Sequence, residues 1–146
     1  MYDTYEFTLV NALNKAADAS TLSFYTDGGV KLIVSVADST KARIDFLTRS
    51  AAERTHVFAA YNPATGKFSF VSPFIPDSVK SIRAMTPASN DLVVTLVLRP
   101  SLLRLSAANP RFGAIRRVLE AAQQNRTQVW LGSFPGDMEI LDARLP

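Results

Sequence analysis

Residues 109–125 carry the clearest secondary-structure signal in the chain, and this segment limits what the rest can fold into. Asn109 is a good N-cap residue because its side chain can accept a hydrogen bond from a free amide of the first helical turn. Pro110 then falls at the first helical position, where a missing N–H costs nothing. The apolar residues at helical spacing are Phe112, Ile115, Val118, Leu119 and Ala122. The pattern predicts an amphipathic helix over about 110–125 that packs its apolar side on a sheet.

Much of the remaining chain has the period-two pattern of β-strands. Residues 30–37 alternate with one apolar face, and residues 41–49 alternate with one wet face. Residues 92–98 are apolar on both faces, which predicts a central strand. Residues 11–19 are rich in alanine and predict a short helix. Further strands are predicted at 5–10 (with the start of a helix as the alternative), 22–25, 54–61, 67–71, 78–85, 127–134 and 138–143.

Turn chemistry separates these segments. Asp27-Gly28-Gly29 and residues 62–66 predict hairpin turns, and residues 72–77 predict a break in the sheet. No internal repeat is recognisable, and no linker is long enough to separate domains. The chain is therefore predicted to be one α+β domain over 1–146. It would combine a predominantly antiparallel sheet, bent into a sandwich or barrel, with one late helix at about 110–125 and a further strand.

Composition excludes several classes of function. The 146 residues include no cysteine, which rules out disulfides, thiolate zinc sites and a cysteine nucleophile. The longest apolar run, 92–98, is much shorter than the roughly 20 residues that a transmembrane helix needs. The acidic residues near Met1 are unlike a signal peptide, so a cytoplasmic location is expected. No phosphate loop or metal-ligand spacing is present, and no cofactor is expected.

Positive charge is concentrated late in the chain. Residues 1–73 contain seven basic and seven acidic residues, whereas residues 74–146 contain nine basic and six acidic residues. Between residues 99 and 126 there is one acid, Glu120, and six arginines. The arginines that could bind a partner or a polyanion are Arg99, Arg104, Arg111, Arg116, Arg117 and Arg126. A solvated helix face is the alternative explanation for this charge.

Three further groups are candidates for chemistry. His56, the one histidine, could act as a general base beside a carboxylate, although an ordinary surface histidine is the simpler interpretation. Asp137, Glu139 and Asp142 form the densest acidic group, for which a solvated edge is the simpler interpretation. Aromatic residues between basic ones could form a stacking platform, or fill the core instead. The aromatic candidates for ligand contact are Phe58, Tyr61 and Phe74.

No catalytic constellation can be assembled from these residues, so an enzyme is not favoured. The sequence favours a binding or assembly module that engages a macromolecular partner through a sheet face and a basic helix. That partner is predicted to be a protein, or a second copy of the chain. The second hypothesis is binding of single-stranded DNA or RNA through the arginines of residues 99–126. The third is a small-ligand pocket or enzyme with His56 near its mouth.

Overall fold

The computed structural model describes residues 4–15, 20–35, 41–65, 67–134 and 137–146. The chain divides into two compact units, Asp3–Pro73 and Phe74–Pro146, which we name the N-terminal and the C-terminal unit. Both consist of antiparallel sheet and one helix, which confirms the α+β class and the antiparallel pairing. That the whole chain is a single domain stays a prediction.

The N-terminal unit pairs its strands in a ring. Its elements are β1 (Thr4–Leu9), β2 (Asn11–Lys15), β3 (Thr21–Tyr25), β4 (Lys31–Ser35), α1 (Lys41–Glu53), β5 (His56–Tyr61) and β6 (Phe68–Ser72). Only Val10 separates β1 from β2, so they act as one long strand, which pairs with β5 through β1 and with β3 through β2. β3 also pairs with β4, and β5 with β6. A parallel bridge from Ile33 of β4 to Lys67, just before β6, closes the ring.

The C-terminal unit has the same arrangement. Its elements are β7 (Ile75–Ala84), β8 (Leu92–Leu96), β9 (Leu102–Leu105), α2 (Phe112–Asn125), β10 (Gln128–Ser133) and β11 (Ile140–Arg144). The first part of β7 pairs with β10 and the second part with β8. β8 pairs with β9, and β10 with β11. Here the closing parallel bridge joins Arg104 of β9 to Glu139, just before β11.

The two units agree in detail as well as in strand order. Each helix is followed by an arginine in the left-handed region, with φ of 52° at Arg54 and 51° at Arg126. A register shift falls between Ala60 and Tyr61 in one unit and between Gly132 and Ser133 in the other. Both arginines begin similar sequences, Arg-Thr-His-Val-Phe and Arg-Thr-Gln-Val-Trp. The structure therefore contains an internal repeat that the sequence analysis did not recognise.

Each helix buries one side in the core of its own unit. Ile115 and Leu119 of α2 have no exposed surface, and Phe112 packs beside them on the same hydrophobic cluster. The predicted late helix and its apolar side are thus confirmed, although the helix begins at Phe112. The predicted N-cap was wrong: Arg111 holds that position, and the Asn109 side chain instead accepts a hydrogen bond from the Arg111 amide at 2.9 Å before the helix begins. In α1, Leu47 is fully buried in the same way.

Several local predictions were wrong. Residues 41–49 form a helix, not a strand, because Ile44, Leu47 and Ala51 recur at helical spacing and reach the core together. Residues 11–15 form β2 instead of a helix, whereas residues 16–19 lie outside the described chain. The predicted break at 72–77 is shorter, because β7 already begins at Ile75. The strand β9 was not anticipated.

Candidate functional site

The outer face of β7, β8 and β9 in the C-terminal unit carries two arginines. The strand register places Arg83 opposite Val93, and Val93 opposite Arg104. Ser81, Thr95 and Leu102 form the neighbouring row, where the Ser81 and Thr95 hydroxyls are hydrogen-bonded to each other. The residues that alternate with them along these strands, such as Val94 and Leu103, lie on the opposite face of the sheet and are buried in the core. We call these two rows the cationic sheet face.

A cleft of about 330 Å³ adjoins this face. Three of its lining residues, Lys80, Arg83 and Arg99, are cations, and none is an acid. In the pairing of β7 with β8, Val79 lies opposite Leu96 and Ser81 lies opposite Thr95, so Lys80 has no partner residue. Lys80 is therefore the extra residue of a β-bulge. The other lining residues are Ser81, Thr95, Leu96, Pro100 and Ser101. We call this cleft the basic cleft.

A second cleft, of about 360 Å³, shares Arg83 with the first. It is lined by Arg116 and Glu120 of α2, whose side chains form an ion pair with 2.7 Å between Nε and Oε1. Uncharged polar groups from Ser89, Asn90 and Gln123 also line it. The negative charge of Glu120 offsets the positive charge of Arg116. This cleft should therefore attract anions less strongly than the basic cleft does.

The six arginines predicted from the sequence do not come together. Arg99 lines the basic cleft, and Arg104 lies on the cationic sheet face, where Glu139 is 3.5 Å from its guanidinium. Arg111 and Arg116 are held by Asp142 and Glu120. The last two, Arg117 and Arg126, are exposed and line neither of the two clefts.

The Arg111 guanidinium forms an ion pair within the C-terminal unit. Its Nη1 donates to Asp142 Oδ1 at 2.5 Å, and Asp142 is almost fully buried. Burial raises the pKa of the Asp142 carboxyl above its usual value, and the charge of Arg111 opposes that rise. The Asn109 side chain donates to the Leu141 carbonyl at 3.2 Å in the same region. These contacts tie the start of α2 to β11, so Arg111 is a poor candidate for a ligand contact.

Two of the three aromatic candidates are core residues. Phe58 has no exposed surface and packs its ring against Tyr5, Phe7 and Phe70. Tyr61 is 4% exposed, and its hydroxyl donates to Glu6 at 3.0 Å. Burial, together with the hydrogen bond and the charge of Glu6, raises the pKa of Tyr61 to about 12. Neither ring offers a face to a ligand.

The remaining candidates, which are Phe74, His56 and the acidic group, also lie against other residues of the protein. Phe74 is half-buried and packs against Trp130 with 4.5 Å between ring centroids. His56 Nε2 lies 3.8 Å from Asp27 Oδ2. Of the acidic group, Glu139 and Asp142 are paired with arginines, and Asp137 accepts hydrogen bonds from the amides of Met138 and Glu139.

An apolar segment projects beside the basic cleft. Val97 and Leu98, in the loop between β8 and β9, are 59% and 75% exposed, and Leu102 at the start of β9 is 54% exposed. The loop backbone is nevertheless fixed to β7. The Val97 amide donates to the Ser78 carbonyl at 2.9 Å, and the Leu98 amide donates to Asp77 Oδ1 at 3.0 Å.

Lys80 and Arg83 were missed by the sequence analysis. They precede the arginine-rich range 99–126, and only the pairing of β7 with β8 brings them beside Arg99. Their spacing of three on a strand would normally put them on opposite faces, and the bulge at Lys80 changes this. The charge excess of residues 74–146 includes both residues, but the candidates were taken from residues 99–126 alone.

Comparisons of the chain with protein-family models, with curated proteins and with solved structures find no match in any of the three. Within the part of the chain that the structure describes, no three metal-ligating side chains form a group that could hold an ion. The described helices include none with the length and apolar character needed to span a membrane.

Proposed function

We propose that the protein is a non-catalytic binding protein whose C-terminal unit binds the phosphate backbone of a nucleic acid. The observation that carries the proposal is the basic cleft, where Lys80, Arg83 and Arg99 meet without an acidic neighbour in the lining. In the described chain no salt bridge involves any of these three cations. The positive charges of these three side chains are therefore available to an anionic ligand.

The residue types suit phosphate. An arginine guanidinium presents several N–H donors in a planar fork that matches two phosphate oxygens, while lysine supplies a compact charge. The Ser81 and Thr95 hydroxyls extend the same polar surface onto β8, and Arg104, which is paired with Glu139, lies on the third strand, β9. Such a row of donors fits an extended, repeating anion better than a single small one.

The architecture is compatible with this role. Barrels of the OB-fold, which also have five strands, bind oligonucleotides across the face of their second and third strands. In the C-terminal unit those strands are β8 and β9, which carry part of the cationic sheet face. The analogy is one of architecture alone, and the argument for function rests on the charged residues.

A protein partner, the function favoured by the sequence, would use the same surface. The predicted basic helix contributes little to it, because Arg111 and Arg116 are already paired within the C-terminal unit. A protein partner would require acidic side chains in place of phosphates. The two proposals are separated by asking whether a nucleic acid alone is sufficient for binding.

The test is the fluorescence polarisation of a labelled single-stranded oligonucleotide, measured as salt rises from about 50 to about 200 mM. We expect affinity to fall steeply with salt. The variant R83A/R99A should weaken binding by about tenfold or more. It should also reduce the slope of log K against log salt by about 1.4, because each phosphate that a cation neutralises on a single strand adds roughly 0.7 to that slope.

The matched control is K31A/R117A, which removes the same charge from exposed residues of β4 and α2 that lie outside both clefts. It should bind almost as the unchanged protein does. Absence of a polarisation change at low salt would contradict the proposal, as would equal reductions of affinity in the two double variants.

A further inference from the structure

The exposed apolar segment lies next to the basic cleft along the chain. Leu98 precedes Arg99 directly, and Leu102 follows Ser101, which also lines the cleft. The strand register also places Leu102 opposite Thr95, on the cationic sheet face. Apolar side chains more than half exposed therefore stand beside cations that have no salt bridge in the described chain.

The segment is held in a fixed conformation. The hydrogen bonds from the Val97 and Leu98 amides to Ser78 and Asp77 anchor the backbone at both residues, and Asp77 itself is buried. A side chain on an anchored backbone loses less conformational freedom on binding than one on a free loop. The loop thus presents Val97 and Leu98 to solvent in a conformation suited to contact with a ligand.

From these observations we infer that the ligand is single-stranded, and that Val97, Leu98 and Leu102 contact its bases while Lys80, Arg83 and Arg99 contact its phosphates. This inference rests on the proposed function and names the form of nucleic acid. A strand with unpaired bases presents apolar base faces beside its phosphates, and so matches both parts of the surface. In a duplex those faces are stacked inside, where these side chains cannot reach them.

The experiment compares three probes of equal length: a single-stranded oligonucleotide, the same sequence in a duplex, and an abasic strand that keeps every phosphate. Dissociation constants are measured at one fixed salt concentration. We expect the single strand to bind roughly tenfold more tightly than the abasic strand, as partial burial of two or three apolar side chains would give. The duplex should bind about as weakly as the abasic strand.

The variant V97S/L98S should remove most of this preference and leave the salt dependence unchanged, because it alters no charge. R83A/R99A should do the reverse, with a lower salt dependence and a retained preference for bases. Because Val97 and Leu98 are exposed, V97S/L98S should leave the core intact. An unchanged circular dichroism spectrum and unfolding midpoint confirm this for each variant.

Equal binding of all three probes by the unchanged protein would overturn the inference and leave the proposed function standing. Failure of every probe to bind would contradict the proposed function itself. If V97S/L98S instead lowers the mass of the free protein in light scattering, with no change in its preference for bases, the apolar segment is a contact between copies and the inference is wrong.

Discussion

The two units have the same strand order and differ in the residues that their surfaces carry. Ile33 and Arg104 occupy equivalent positions, because each forms the bridge that closes the ring of its unit. Asn14 and Arg83 are also equivalent, because each lies one residue before the end of the long first strand of its unit. Ile44 and Arg116 each precede the buried helical leucine by three residues, but Ile44 packs against the core whereas Arg116 is exposed. In each of these three pairs the C-terminal unit has an arginine where the N-terminal unit has an uncharged side chain.

The loops after the second strand differ in a related way. In the N-terminal unit, Asp27 accepts hydrogen bonds from the Asn11 side chain at 2.9 Å and from the Leu9 amide at 3.3 Å. Glu6 accepts one from the Gly28 amide at 3.3 Å. These carboxylates stabilise their own loop, whereas the loop containing Leu98 and Arg99 leaves its side chains exposed. Both loops are thus anchored to the first strand of their unit, and they differ in what they expose, which in the C-terminal unit is Val97, Leu98 and Arg99.

The largest expected effect tests whether the two scaffolds are equivalent. Leu47 and Leu119 have no exposed surface and occupy matching helical positions. Leu47→Ala and Leu119→Ala should each lower the free energy of unfolding by about 2–5 kcal/mol, because each leaves a cavity in a packed core. Urea unfolding followed by circular dichroism measures both effects. A cost below about 1 kcal/mol at only one site would mean that the helices do not contribute equally.

An intermediate effect tests the loop contacts. Thr8 and Asp77 are buried polar residues of the long first strand in each unit. Thr8 Oγ1 accepts from the Asp27 amide at 2.8 Å, and Asp77 Oδ1 accepts from the Leu98 amide. Thr8→Val should cost about 1–2 kcal/mol, because it leaves the Asp27 amide without its acceptor.

Thr8→Ser keeps the hydroxyl and is the control for that variant. Asp77→Asn keeps an acceptor for the Leu98 amide, so its cost in urea unfolding should be smaller than that of Thr8→Val. If Thr8→Val is no more costly than Thr8→Ser, the hydrogen bond to the loop does not stabilise the N-terminal unit.

The smallest expected effect concerns the two left-handed arginines. Glycine adopts positive φ without the steric cost that a side chain incurs. Arg54→Gly and Arg126→Gly should therefore each raise the free energy of unfolding by about 0.5–1 kcal/mol, and by similar amounts. Thermal unfolding gives the comparison, with Arg117→Gly inside α2 as a control that should be destabilising. A decrease in stability at either position would indicate that the arginine side chain makes a stabilising contact there.

Sequence reasoning succeeded where local signals were sufficient. The helix α2 was predicted because its apolar residues recur over almost four turns, and β8 because it is apolar on both faces. The helix α1 was missed because Ala42, Ile44 and Phe46 also alternate with polar residues, while the helical spacing is carried by Ile44, Leu47 and Ala51 alone. Over so short a segment, the two-residue period of a strand and the 3.6-residue period of a helix are hard to separate.

The candidate site could be predicted only in part. Arg99 and Arg104 were identified from local charge density, but which arginines remain available depends on acids brought near them by the fold. Asp142 and Glu139 lie many residues from Arg111 and Arg104, and no local pattern links them. The repeat was hidden because its units share topology and burial, while few residues beyond the Arg-Thr-x-Val segments are alike.

The bridge between Arg104 and Glu139 bears on how the C-terminal unit can recognise anything. A parallel bridge and a hydrogen bond from the Arg104 amide to the Met138 carbonyl at 2.9 Å bring the two outermost strands together. Open sheets often capture an extended peptide by adding it as one more strand along a free edge. With that edge engaged, any ligand of the C-terminal unit would have to be recognised through side chains, and a substitution on the outer face would change such recognition without disturbing the backbone ladder.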